Sequence, residues 1–162
     1  MIASNENMPN VFLQGRMKWQ FFHYNGLVVD LNCGWYCLKA ALKIRYPNQP
    51  TMHSPTHPAF PSFGYDPLKN SGMTNVREIL RANIPNNCLG WVNMITNSGP
   101  IITAVNIGPG GIIAHYILIN GADDQQDPPG GRLYYYDPLT GVLQRHEAFN
   151  TLYPKITEAI SV

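Results

Sequence analysis

The chain has 162 residues, with 11 lysines and arginines against 10 aspartates and glutamates and a formal net charge of +1. This length suits one domain with its own core, so we expect a single domain over residues 1–162, with residues 1–10 as a flexible polar lead. A near-neutral chain without a basic block is not expected to bind nucleic acid or an anionic membrane surface.

The first predicted elements are an aromatic segment, a helix and a long loop. The aromatic run Lys18–Tyr24 is typical of a strand or of a packed extended arm. Gly34–Tyr46 combines apolar residues with lysines and an arginine at helical spacing and is followed by Pro47, which predicts the best helix of the chain. The proline-rich segment Asn48–Ser71 predicts a long irregular loop, a kind of loop that often carries function.

Further along, two short helices and a set of strands are expected. Asn75–Asn83 predicts a helix, because Asn75 and Glu78 have the spacing of a capping box. Asn87–Thr96 predicts a second helix that ends near Gly99. Segments rich in Ile, Val and Tyr then predict four strands, Ile101–Ile107, Ile112–Asn120, Arg132–Asp137 and Val142–His146. Helices followed by an antiparallel sheet indicate an α+β fold.

His115 is a candidate catalytic residue because it lies inside an apolar strand with an acidic residue on the next strand. If the two strands form a regular hairpin, His115 lies directly opposite Asp137 and Ile117 lies opposite Tyr135. Opposed residues of this kind have Cβ atoms about 5 Å apart on one face, which suits a carboxylate that orients an imidazole. Asp137 also fits a turn residue in the sequence DPLTG, and a slip of one residue would separate the pair.

Cys33 is the candidate nucleophile, since it stands where the best helix begins. The positive end of the helix dipole and a nearby histidine both favour the thiolate, which is the nucleophilic form. Backbone amides beside it are free to bind an oxyanion, and Gly34 keeps the approach open. Cys37, one turn further on, and Cys88 are interpreted as buried apolar residues. Cys33, His115 and Asp137 together suit nucleophilic catalysis, which recurs with several chain orders of its residues.

A zinc site is an alternative interpretation of the same cysteines. Cys33 and Cys37 followed by His53 and His57 fall within loose limits for a Cys2His2 site. The segment between the two pairs is mostly one helix, whereas a zinc finger has its ligands on a hairpin and the following helix. Such a site would also leave His115 unexplained, so no metal and no other cofactor is expected.

Three motifs follow one another along the chain: residues 32–39 (NCGWYCLK), 114–121 (AHYILING) preceded by SGPII, and 136–141 (YDPLTG). In this order they resemble the motifs of papain-like cysteine peptidases, and within them those of the bacteriocin-processing (double-glycine) peptidases. The resemblance covers about residues 20–146. It implies a papain-like fold, in which an N-terminal helix carrying the nucleophile packs on an antiparallel β-sheet. It also implies Cys33 as nucleophile, His115 as general base and acid, and Asp137 as the residue that orients His115.

One position departs from the family pattern. The family usually has Gln six residues before the cysteine to complete the oxyanion hole, and this chain has Leu27 there. Asn25, Gln20 and Asn32 are the candidate replacements, although Asn32 also suits a helix cap. Trp35, beside the nucleophile, is the aromatic residue expected to touch the substrate groove.

The function expected from these features is cleavage of a protein or peptide through a Cys-His-Asp triad. The resemblance implies small residues such as Gly-Gly before the scissile bond, and a catalytic domain of a bacterial secreted toxin or effector with a cognate immunity protein as a partner. Two alternatives stay open: a transferase or glutamine deamidase that uses the same triad, and a non-enzymatic module that binds zinc or has a peptidase-like fold without activity.

The sequence also indicates a compartment. Ala82–Ala122 lacks charged residues, but Pro85, Pro100 and Pro109 interrupt every apolar run well short of the ~18 residues of a membrane span. The N-terminal residues lack the basic start and apolar stretch of a signal peptide, and an odd number of cysteines does not suit a disulfide scaffold. We expect a soluble protein, cytoplasmic or delivered by a specialised secretion system.

Overall fold

The computed structural model describes residues 2–4, 21–24, 27–30, 33–46, 64–70, 75–107, 113–125, 127–138 and 145–162. The candidate oxyanion residues Gln20, Asn25 and Asn32 lie outside these ranges, as do His53 and His57 of the alternative zinc site. Most of the proline-rich segment expected to be a loop lies outside them as well.

Seven of the described strands form one antiparallel sheet. Its strands are β1 (Ile2–Ser4), β4 (Arg77–Ile79), β5 (Ile101–Ile107), β6 (Ile113–Asp123), β7 (Arg132–Tyr136), β8 (Arg145–Ala148) and β9 (Ile156–Ser161). They follow the order β4-β9-β5-β6-β7-β8, and β1 pairs with the C-terminal end of β6. A separate hairpin joins β2 (Phe21–Tyr24) to β3 (Leu27–Asp30).

The sheet has a hydrophobic core on each face, because successive strand residues point to opposite sides. On one face Trp91 of α3 (Cys88–Ser98) joins a cluster that includes Ile117 of β6. On the other face α1 (Cys33–Arg45) packs against Leu118 of β6 and Tyr136 of β7. The two short helices are α2 (Tyr65–Asn70) and α4 (Phe149–Leu152).

The helix ends explain why α1 and α3 form where the sequence predicts them. The Asn87 side chain caps α3 by accepting a hydrogen bond from the Gly90 amide at 2.8 Å. Gly99 ends α3 at φ +75°, a backbone conformation that favours glycine. Helix α1 begins at Cys33, one residue before the predicted start, so the expectation of a helix that presents this cysteine at its N-terminus is confirmed.

The hairpin register differs from the expected one. Tyr135, predicted to lie opposite Ile117, pairs with Ile119, and a bulge separates Ile119 from Gly121 in β6. The prediction that His115 lies directly opposite Asp137 is therefore wrong. The pairs next to the turn, such as Asp123 with Arg132, are three residues away from the assumed register, and the bulge reduces the shift to two. A shift by two residues keeps both side chains on the same face, since strand side chains alternate with period two.

Other expectations for the chain need correction. The helix expected over Asn75–Asn83 is wrong, because its centre is strand β4, paired with β9, and its end is one turn of 3-10 helix over Arg81–Asn83. The backbone hydrogen bonds offered by the edge of β9 outweigh a weak helical preference. Helix α2 lies within the segment Asn48–Ser71 that was expected to be irregular.

The two ends of the chain also add strands to the predicted set. Ile2–Ser4, within the lead expected to be flexible, pairs with β6 as strand β1. Strand β9, which was not predicted, lies between β4 and β5. The α+β class with an antiparallel sheet is confirmed, and none of the described helices is long and apolar enough to cross a membrane.

Candidate active site

Cys33 is the first residue of α1 and is half-buried. The first amides of a helix have no carbonyl partner within the helix, so the amides of Cys33 and Gly34 are available to an oxygen atom beside the sulfur. Cys33 is a free thiol. The start of α1 therefore presents a thiol at a helix N-terminus, where backbone amides lack a partner within the helix.

His115 and Asp137 form a direct side-chain contact. His115 lies in β6, where it pairs with Val105 of β5, and is 5% exposed. Its Nε2 lies 2.8 Å from Oδ1 of Asp137, whose side chain is 12% exposed. Asp137 follows β7 directly, so its position is fixed by the end of that strand.

The shifted register explains how the two side chains meet. Continuing the pairing of Ile119 with Tyr135 along the strands places Asp137 beside Ile117, one alternation from His115. Diagonal neighbours of this kind on one face have Cβ atoms about 7 Å apart, which an imidazole and a carboxylate can span. The predicted contact is thus present although the predicted pairing is wrong.

Cys33 lies next to the same imidazole. The Cys33 side chain interacts with His115 and raises the pKa of the ring. Because Nε2 faces Asp137, Nδ1 is the ring nitrogen that remains for the sulfur. The structure therefore brings together the three residues expected from the sequence, in the order sulfur, imidazole, carboxylate.

The site favours the protonated imidazole. Burial lowers the pKa of His115, but the hydrogen bonds to Asp137 and Cys33 and their negative charges outweigh it and raise the pKa to about 9. At neutral pH His115 is thus protonated and positively charged. A positive charge beside a cysteine favours the nucleophilic thiolate form.

Arg145 reaches this site and has no counterpart among the residues singled out from the sequence. Its Nη1 lies 3.6 Å from Oδ2 of Asp137, so the carboxylate has His115 on one oxygen and a guanidinium near the other. Arg145 is the first residue of β8 and pairs with Tyr135. From the sequence, Arg145 could have been found only by predicting the register between β7 and β8 correctly.

The other two cysteines lie in apolar surroundings. Cys37 is fully buried, and its Sγ donates to the carbonyl oxygen of Tyr116 at 3.4 Å. Burial raises the pKa of the Cys37 thiol, and the negative charges of Cys33 and Asp137 raise it further. Burial likewise raises the pKa of Cys88, which is 3% exposed. Neither cysteine has the setting of a nucleophile, as the sequence indicated.

Tyr116 and Glu158 form a second polar pair close to the nucleophile. The Tyr116 hydroxyl donates to Oε2 of Glu158 at 2.7 Å, and the Tyr65 amide donates to Oε1 at 3.4 Å. Burial raises the pKa of Tyr116, and the hydrogen bond to Glu158 and the charge of Cys33 add to this effect. Glu158 thereby ties α2 to the sheet beside Cys33, and it was missed because β9 was not predicted.

Trp35 lies in the core. Its side chain is 3% exposed and belongs to the apolar cluster between α1 and the sheet. It is thus a packing residue in this structure, and a part in the substrate groove stays a prediction.

Within the described residues, no group of three or more His, Cys, Asp or Glu side chains is arranged to hold a metal ion. The cysteines of the alternative zinc site, Cys33 and Cys37, are directed to His115 and to the Tyr116 carbonyl.

Comparison with known proteins gives one match. The family model described as papain-like cysteine protease AvrRpt2 matches residues 79–157, just under half of the 162-residue chain. The matched segment contains His115 and Asp137, whereas Cys33 precedes it. No curated protein and no solved structure matches the chain. The match supports the papain-like resemblance and does not confirm the narrower one to bacteriocin-processing peptidases.

Proposed function

Because this chain is a papain-like cysteine peptidase, a hydrolase, we propose that Cys33, His115 and Asp137 are its catalytic triad. One observation carries the proposal: the His115 imidazole contacts Asp137 at 2.8 Å through Nε2 and lies next to Cys33, which raises the pKa of the ring. A nucleophile, a base in contact with it and a third group that orients the base are the parts that covalent catalysis requires.

The first half of the reaction starts from a Cys33 thiolate paired with the His115 imidazolium. The Cys33 thiolate attacks the carbonyl carbon of the scissile peptide, a C–S bond forms, and the π electrons move to the carbonyl oxygen. Amides at the start of α1 donate to that oxyanion. His115 then gives its proton to the leaving amine as the C–N bond breaks, which leaves a thioester on Cys33 and a neutral imidazole.

Water completes the turnover. Neutral His115 takes a proton from water as the water oxygen attacks the thioester carbon. The C–S bond breaks, the carboxylic acid product leaves, and the thiolate–imidazolium pair is restored. Asp137 holds the ring by its Nε2 throughout, so that Nδ1 keeps facing the sulfur.

The substrate class follows from the resemblance rather than from the site. The proposed substrate is a protein or peptide, with small residues such as Gly-Gly before the scissile bond. We place the activity in the single catalytic domain of a bacterial effector or toxin that acts as a soluble protein, with a cognate immunity protein as its inhibitor. The similarity to the AvrRpt2 family over residues 79–157 supports the effector part of this assignment.

A peptide library tests the proposed reaction, with a histidine of β6 compared with a histidine of β8. The purified protein is incubated with the library, and new termini are identified by mass spectrometry. His115→Ala should abolish cleavage, whereas His146→Ala, which changes an exposed histidine in contact with Arg132, should leave it unchanged.

The products separate the related reactions. New free carboxylates at peptide termini are expected from a peptidase. Conversion of glutamine side chains to glutamate would indicate a deamidase instead of a peptidase. New amide links between peptides would indicate a transferase. Equal cleavage by wild type and His115→Ala would refute the triad.

A further inference from the structure

Asp137 is contacted from the strands on both sides of β7. His115 of β6 faces Oδ1 at 2.8 Å, and Arg145 of β8 faces Oδ2 at 3.6 Å. Three adjacent strands thus present an imidazole, a carboxylate and a guanidinium in one row. The proposed triad uses two of these groups and leaves Arg145 without a role.

The position of Arg145 follows from the register of β7 and β8. Arg145 pairs with Tyr135, and Asp137 lies two residues beyond Tyr135 on the same face. Asp137 is therefore a diagonal neighbour of Arg145, at a distance that only a long side chain can span. The guanidinium also lies 6.0 Å from the centre of the Tyr135 ring, so the side chain runs along the strand toward the carboxylate.

We propose that Arg145 is a positioning residue that holds the Asp137 carboxylate with Oδ1 toward His115 and reduces the negative charge that the imidazole experiences. The inference rests on the proposed function, because it assigns a fourth member to the same site. Contacts on both oxygens fix the plane of a carboxylate more firmly than a contact on one oxygen. A cation beside Asp137 also opposes a proton on the neighbouring ring.

Three other groups of the described residues near His115 differ from Arg145 in charge or in partner. Helix α1 supplies Cys33, which favours the imidazolium. The neighbouring strand β5 has apolar Val105 opposite His115. Glu158 of β9 is engaged by the Tyr116 hydroxyl. Arg145 supplies a positive charge next to the His115–Asp137 pair.

Three variants separate the charge of Arg145 from its bulk. Arg145→Gln removes the cation, and Arg145→Lys keeps it. Arg132→Gln removes a comparable cation from the neighbouring strand, where Arg132 contacts His146 at 3.0 Å. All three should fold, because a half-exposed ion pair contributes little to stability. Thermal unfolding measured for each variant checks this.

The readout is the titration of the His115 ring by NMR, with the resonance assigned by its absence in His115→Gln. Arg145→Gln should move the titration of His115 to higher pH by roughly half a pH unit. It should also speed the exchange of the Nε2 proton with water several-fold, since the acceptor is less well held. Arg145→Lys should restore most of the wild-type titration, and Arg132→Gln should not change it.

The outcomes distinguish this inference from the proposed triad. Equal peptide cleavage by wild type and His115→Gln would refute the triad itself. A raised wild-type titration that is identical in Arg145→Gln would overturn only the role of Arg145. Equal shifts in Arg145→Gln and Arg132→Gln would also overturn it, because the effect would then be one of overall charge.

Discussion

Helix α1 has a cysteine in each of its first two turns, and the two cysteines lie in different surroundings. Cys33, in the first turn, is half-buried and interacts with His115. Cys37, one turn later, is fully buried, and its sulfur donates to the backbone oxygen of Tyr116. Four residues of helix thus separate a thiol that faces an imidazolium from one that packs in the core.

The difference comes from the surroundings of the helix rather than from the helix itself. The first turn lies where His115 and Asp137 meet at one region of the sheet, and the second turn lies over Leu118 and Tyr136. A neighbouring imidazolium stabilises a thiolate, while burial among apolar groups stabilises the thiol. We therefore expect the reactivity of each cysteine to depend on the groups that its turn of α1 contacts.

Replacing each cysteine by alanine should give the largest contrast. Cys33→Ala should lower peptide cleavage by at least ~1,000-fold, because it removes the proposed nucleophile. Cys37→Ala should leave the rate within about twofold and lower the free energy of unfolding by about 1 kcal/mol, because a small buried group is lost. Cleavage of a peptide found in the library experiment and urea unfolding measure the two effects.

Full activity in Cys33→Ala would contradict the account. Loss of activity in Cys37→Ala, with the fold intact, would contradict the contrast between the two turns.

A smaller effect is expected in the dependence of stability on pH. The pKa of His115 is about 9 in the folded protein against 6.5 for the free side chain. Because this pKa is raised, the contribution of His115 to the free energy of unfolding is fully present below about pH 6.5 and is lost as the pH rises through about 9. Its upper limit is roughly 3 kcal/mol.

Urea unfolding of wild type and His115→Gln at pH 6 and pH 9.5 measures this contribution. The difference in the free energy of unfolding between the two proteins should shrink at the higher pH. A difference that stays constant, or grows with pH, would mean that His115 is not held as an imidazolium beside Cys33.

The sequence was sufficient for the parts of the site that depend on local features. A cysteine just before a well-formed helix and a histidine inside an apolar strand are visible in the residue pattern, and the structure has Cys33 and His115 in those elements. Asp137 was found through an assumed hairpin whose register was wrong. The error was harmless because a shift of two residues preserves the face of the sheet.

The parts that the sequence did not reveal depend on strand partners far apart in the chain. Asn75–Asn83 has helical spacing, but the edge of β9 offers it a strand partner, and β9 itself was not predicted. Arg145 contacts Asp137 only because of the pairing between β7 and β8. Non-local pairing of this kind leaves no periodic mark on either segment alone.

The most direct test of the central claim is alkylation of the three thiols at pH 6, measured residue by residue with peptide mapping. An ordinary thiol, with a pKa near 8.5, reacts slowly at this pH. We predict that Cys33 reacts at least tenfold faster than Cys37 and Cys88, and that His115→Ala abolishes this advantage. The variant is essential, because exposure alone would also favour Cys33 over two buried thiols. A Cys33 rate that is unchanged in His115→Ala, or equal rates at all three cysteines in the wild type, would contradict an activated Cys33–His115 pair.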